Sequence, residues 1–169
     1  MSKKLLRTKS IYDACSLHIK ESGASDTEIE SYLTQHILVA MCADIQQEIY
    51  SILENRLSHT QDREVREFAF ATGKKILRSI GKKEVSGFIS NFGPRAKQVL
   101  DANLDDKEVT LYSNAVKNRH DIAHNNGSNI TFKELGDIID AAVNFITTIE
   151  LSLAAPTSAS TAVNLERNV

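Results

Sequence analysis

Apolar residues recur at spacings of three and four along most of the chain, and alternation with period two is absent, so the pattern predicts helices throughout. A first helix covers roughly Lys4 to Glu21 and ends at Gly23. The second carries Ile29, Leu33, Ile37, Leu38, Met41, Ile45, Ile49, Leu53 and Leu57, with Ser25 and Glu28 as its capping box. It would be about thirty residues long, or roughly 45 Å. A third starts near Asp62 and stops before Gly81, with Val65, Phe68, Ala69, Ile76 and Ile80 inward. Between Lys82 and Asn103 the pattern supports short helical pieces, Val85 to Ser90 and another after Pro94, a residue suited to a first turn. Asp105 and Glu108 cap the next helix. The last opens on Thr131 and Glu134 as a capping box and on Ile130 and Leu135 as a hydrophobic staple. Its stripe is Leu135, Ile138, Ala142, Phe145 and Ile149. From Ala154 the pattern gives way to Ala, Ser, Thr, Pro and Asn. The expectation is one all-α antiparallel helical bundle over residues 1–153, with a long second helix, and a flexible tail over 154–169.

A chain of 169 residues is long enough for one real core. Its formal net charge of −2 excludes a strongly basic protein that coats polyanions. A local basic patch remains open: Lys74, Lys75, Arg78, Lys82, Lys83, Arg95 and Lys97 cluster in sequence, as candidate RNA contacts or as a solvated helix face. Cys15 and Cys42 sit in apolar helical patterns without CxxC spacing and read as reduced core residues. Leu5-Leu6 is followed by Arg7, Thr8 and Lys9, so the basic N-terminus forms neither a signal peptide nor a membrane span, and a cytoplasmic location is expected.

One stretch carries candidate chemistry: Asn118-Arg119-His120-Asp121-Ile122-Ala123-His124, followed by the turn-forming Asn125-Asn126-Gly127. On a helical projection, Val109, Leu111, Tyr112, Ala115, Val116, Ile122 and Ala123 form one apolar arc with Arg119 in its middle. A guanidinium there is costly unless it is paired or opens into a wet cleft. His120 and His124 stand one turn apart on the arc's shoulder. A permanent cation beside two imidazoles suits binding and cleaving a phosphodiester. RNA supplies its own nucleophile, so an enzyme need only deprotonate the 2′-hydroxyl, stabilise the charged phosphorane and protonate the leaving oxygen. Imidazole titrates near neutrality, and arginine offers a fork that never loses its charge.

Arg-x-x-x-x-His near a helix C-terminus, before a Gly-containing turn and a last amphipathic helix, resembles the HEPN superfamily, on Arg119, His120 and His124. The long second helix, with Glu48 facing Ile49 and Leu53, is similar to the RiboL-PSP-HEPN subgroup, and the likeness extends from about Tyr32 to Leu153. The resemblance implies a dimeric helical bundle in which two motifs meet in one cleft, and a metal-independent endoribonuclease that needs no cofactor. It implies Arg119 and His124 as catalytic residues, with His120 and Glu48 in support. A toxin or antiviral-defence effector is the expected role, with RNA as substrate and an antitoxin or defence-system protein as a further partner. Within one helix Arg119 and His124 point about 140° apart and rise about 7.5 Å, and pairing across a two-fold axis would bring each Arg119 to a partner's histidine. Some HEPN proteins carry a modifiable tyrosine two positions after the motif histidine, where this chain has Asn126, which puts that regulation in doubt.

Plainer roles stand beside these. Arg119 could form a dimer-interface or intrachain salt bridge, for example with Glu48, and His124 could cap its helix. His120 and His124 have the i, i+4 spacing of zinc ligands, but His18, His36 and His59 lie on other helices and no third ligand is evident. The alternative function is a noncatalytic dimerisation module that binds RNA or a protein through the same cleft.

Overall fold

The computed structural model describes residues 4–78, 80–123 and 128–154. His124, Asn126 and the tail from residue 155 onward therefore lie outside the described residues. Seven α-helices follow one another among the described residues: α1 (Leu6–Ser22), α2 (Glu28–Leu57), α3 (Arg63–Ile76), α4 (Lys82–Ser90), α5 (Pro94–Ala102), α6 (Asp106–Ala123) and α7 (Leu135–Leu153). A 3-10 turn, Phe132–Glu134, leads into α7.

The helix ends have local causes. Gly23, at φ 66°, takes the left-handed conformation that closes α1. At the start of α2 the cap is Thr27, two residues beyond the expected Ser25: Asp26 turns the chain at φ 59°, and the Glu30 carboxylate accepts its N–H. The Asp62 and Asp105 carboxylates accept the N–H groups of Val65 and Glu108, both at 3.0 Å, as N-caps of α3 and α6. Before α7 the Glu134 carboxylate accepts from the Thr131 N–H and hydroxyl, both at 2.8 Å, and these bonds hold its carboxyl below the ordinary range. Leu135 is fully buried and Ile130 packs against the same core, as a staple requires.

The bundle is built around α7, which buries twelve of its nineteen residues, including every member of its expected stripe. Helix α2 runs parallel to it, with Ile52 and Asn55 beside Glu150 and Leu153 and the start of α2 beside Ile130 and Phe132, while α6 and α1 run against it. Glu108 meets Asn144 and Tyr112 packs on Phe145 while Asn118 reaches Asn129, so α6 is antiparallel to α7. Lys4 pairs with Glu150 while Tyr12 stacks on Phe132, so α1 is antiparallel to α7 too. The Thr8 hydroxyl and the Arg7 guanidinium both donate to Asp44, joining α1 to the middle of α2. From α2, Ile37, Leu38, Met41, Ile45, Ile49 and Leu53 fill the centre. Ile29, expected in that stripe, is exposed, and with Tyr32 and Val39 it forms an apolar row on the outer side of α2.

The third helix is turned differently from expectation. Val65, Phe68 and Ile76 are 52%, 73% and 45% exposed, and the row containing Phe70, Gly73 and Leu77 faces the core instead. Gly73 explains the choice. A Cβ there would stand 2.5 Å from Leu53 Cδ2 and 3.2 Å from Phe88 Cζ, so its absence is what lets α2 and α4 approach α3. Ile80 is inward as expected.

Two helical glycines should consequently respond in opposite ways to alanine. Helix propensity favours each substitution by about 1 kcal/mol. At Gly87 nothing lies within 4 Å of the new Cβ, so Gly87→Ala should keep that gain. At Gly73 the Cβ must displace the buried Leu53, and overpacking of about 1–3 kcal/mol should make Gly73→Ala a net loss. Urea unfolding reads both signs; a Gly73→Ala variant as stabilised as Gly87→Ala would contradict the close approach.

Candidate functional site

The C-terminal half of α6 opens onto a cavity of about 310 Å³. One wall is α2, through Cys42, Ala43 and Gln46. A second is the turn between α3 and α4, through Arg78 and Ile80, and the third is α6 itself, through Val116, Arg119 and His120. Arg119 is thus exposed rather than buried. Its angular position on the helix is as expected, between Tyr112 and Ala115, which are both fully buried. It lies beyond them along the axis, however, where α2 and the turn enclose a cavity instead of packing against α6. Among the described residues Arg119 makes no ion pair.

Three side chains fix the turn that closes the cavity. Gln46 Nε2 donates to the carbonyls of Leu77 at 3.3 Å and Arg78 at 3.0 Å. The Tyr50 hydroxyl donates to the carbonyls of Lys74 at 3.3 Å and Leu77 at 3.4 Å. From α6 the buried Tyr112 hydroxyl donates to the Ile80 carbonyl. Burial raises the phenol well above its ordinary value and so keeps it protonated as a donor. Beside Arg119, burial pushes the Cys42 thiol up to about 11, with the guanidinium acting in the opposite sense. The thiol wall is therefore neutral at physiological pH.

Asn118 is buried and anchors the motif from beneath. Its Nδ2 donates to the Asn114 carbonyl at 2.9 Å, while its Oδ1 accepts from the Asn129 N–H at 2.8 Å and the Ser128 hydroxyl at 3.2 Å. Asn118 therefore ties the end of α6 to the strand of chain that leads into α7. The sequence placed Asn118 in the motif stretch without a role of its own, and Gln46 did not stand out. A polar residue on the shoulder of the apolar arc was the available signal for Asn118; Gln46 had none.

The expected site residues separate into groups. Arg119 and His120 share the cavity, and Arg78 joins them from the basic stretch. His124 lies outside the described residues. Glu48 lines a different depression, of about 400 Å³, with Arg7 and Asp44, so the chain does not bring it to Arg119. Of the other basic candidates, Lys74 lies over the Tyr50 and Phe70 rings at 5.1 and 5.3 Å. Lys75, Lys82 and Lys83 are exposed. On α5, Arg95 donates to the Ala154 carbonyl at 3.3 Å, and Lys97 pairs with Asp101. Among the described residues no three His, Cys, Asp or Glu side chains stand close enough to hold a metal ion, and no helix is long and apolar enough to cross a membrane.

A family model described as RiboL-PSP-HEPN matches residues 4–155. No curated protein and no solved structure matches the chain.

Asn118→Ala removes the acceptor of two donors and should lower unfolding free energy by about 1–3 kcal/mol. Amide exchange at Asn129 should accelerate beyond the global effect. Unchanged stability and unchanged protection of Asn129 would show that the anchor does not hold in solution.

Proposed function

The chain belongs to the RiboL-PSP-HEPN family, and on that footing we propose that it is a metal-independent endoribonuclease acting in the cytoplasm as a toxin or antiviral-defence effector. The observation that carries this reading is the opening of Arg119 and His120 into one cavity at the end of α6, in the motif that continues to His124. Arg119 presents a fork of donors to phosphate oxygens and stabilises the charge that builds on the phosphorane. His124 moves the proton, and His120 contacts phosphate or orients His124. The 2′-hydroxyl is the nucleophile, so cleavage leaves a 2′,3′-cyclic phosphate or the 3′-phosphate derived from it, and DNA is not cut. No step calls for a metal ion or cofactor.

Two copies complete the site in this reading. The outer row of α2, with Ile29, Tyr32 and Val39 exposed, leads along the helix to Ala43 at the rim of the cavity, which supports a second copy as its cover. An antitoxin or defence-system protein is the further partner expected of such an effector.

In EDTA, wild type should cleave RNA, while Arg119→Ala and His124→Ala should each lower cleavage by at least about a hundredfold with helicity intact. His120→Ala should lower it less. Activity lost in EDTA and restored by zinc or magnesium would overturn the metal-independent chemistry. RNA or protein binding by all variants, without cleavage by any, would favour a noncatalytic dimerisation module.

Co-expression of Arg119→Ala with His124→Ala tests the shared site. In a heterodimer of the two, one site regains both residues and the other loses both. Statistical assortment should return about a quarter of wild-type activity if each site draws on both protomers. No recovery, with light scattering showing a dimer, would place the whole site in one chain; a strict monomer at micromolar concentration would sink the composite site altogether.

A further inference from the structure

We infer that Arg78 is a second phosphate-binding residue of the motif cavity, and that it and Arg119 together grip one phosphate group of the bound strand. This deepens the ribonuclease reading and rests on it for the identity of the strand.

Two arginines line one cavity, Arg78 from the turn between α3 and α4 and Arg119 from α6. Neither makes an ion pair among the described residues. Two permanent cations facing one small space repel each other, and an anion between them converts repulsion into two attractions. The walls around them supply no competing anion: Cys42, Ala43, Ile80 and Val116 are apolar or neutral, and Gln46 is an amide.

Arg78 is held ready rather than left on a loose loop. Its own carbonyl accepts from Gln46, the preceding Leu77 carbonyl accepts from α2, and the Ile80 carbonyl two positions on accepts from α6. Ordering that backbone before the ligand arrives lowers the entropy lost on binding. The other cations of the basic stretch do not line the cavity, so Arg78 is singled out by position and not by charge. A volume of about 310 Å³ lies at the small end of small-molecule sites, which suits one nucleotide of a strand and not a folded RNA surface.

Two probes test this without requiring turnover. The first is a 3′-nucleoside monophosphate, with binding read by calorimetry. Arg78→Ala and Arg119→Ala should each weaken it at least about tenfold. Arg63→Ala, which removes an equal charge paired with Glu67 on α3, should change it less than about twofold. The second probe is a 2′-O-methyl RNA oligonucleotide, which lacks the nucleophile. Arg78→Ala should reduce the salt dependence of its binding by about 0.7 in the log–log slope, the value of one single-strand phosphate contact. Arg78→Lys should keep the slope but bind more weakly than wild type, because it keeps the charge and loses the fork. Wild-type affinity and slope in Arg78→Ala would overturn the proposal, as would an equal loss in Arg63→Ala. If both probes depend on Arg78 while no RNA is cleaved, the phosphate grip stands and the nuclease reading falls. If RNA is cleaved and Arg78→Ala changes neither KM nor binding, the reverse holds.

Discussion

A buried hydroxyl tolerates few arrangements, and the architecture of the cavity depends on one. Tyr112 is fully enclosed, packed at a tilt against Phe145 of α7, and its hydroxyl has the Ile80 carbonyl as its partner. Losing that partner would strand a donor in the core, at a cost of about 1–3 kcal/mol. The bond therefore sets where the α3–α4 turn sits relative to α6, while Gln46 and Tyr50 set where it sits relative to α2. With the turn fixed on both sides, Arg78 and Arg119 face one space although they come from segments forty-one positions apart in the sequence. Core packing and site geometry are thus one constraint, not two.

How much of this was legible in the sequence follows from the range of the interactions involved. Helix ends governed by a residue and its near neighbours were readable: Gly23, Asp105 and the Thr131–Glu134 pair each act within a few positions. The start of α2 was displaced by two residues because the turn at Asp26 and the reach of Glu30 compete with a motif that Ser25 and Glu28 also spell. The orientation of α3 failed for a different reason. Counting apolar residues selects the Val65, Phe68 and Ile76 row, but close packing selects the row with the smallest residue, and Gly73 allows an approach that no larger side chain would.

The candidate site divides along the same line. Arg119 and His120 were visible because their motif is local, and the projection correctly set Arg119 between core residues. What it could not supply was the cavity. Whether an angular position is buried depends on what faces it, and that is decided by α2 and a distant turn. Gln46, Cys42 and Arg78 belong to the site through tertiary contacts spanning tens of residues, to which periodicity is blind. Glu48 illustrates the converse. It stands two positions after Gln46, so it points about 200° further round α2 and faces Arg7 and Asp44 instead of Arg119.

Unpaired cations in a partly enclosed space contribute nothing obvious to folding. Elsewhere Asp44 meets Arg7, Asp101 meets Lys97 and Glu67 meets Arg63. The two arginines of the cavity have no such carboxylate partner among the described residues, in a chain whose overall balance is −2. Apart from Arg78, Arg119 and His120, the cavity walls are neutral groups, and burial keeps the Cys42 thiol in its uncharged form. Two guanidinium groups that line one cavity, without an ion pair among the described residues, set a positive field at a fixed place. Such a local conflict with folding stability is the expected mark of a site shaped for a ligand. The sign of that field is the complement of an anion, and the volume of the cavity, about 310 Å³, is the complement of a small one.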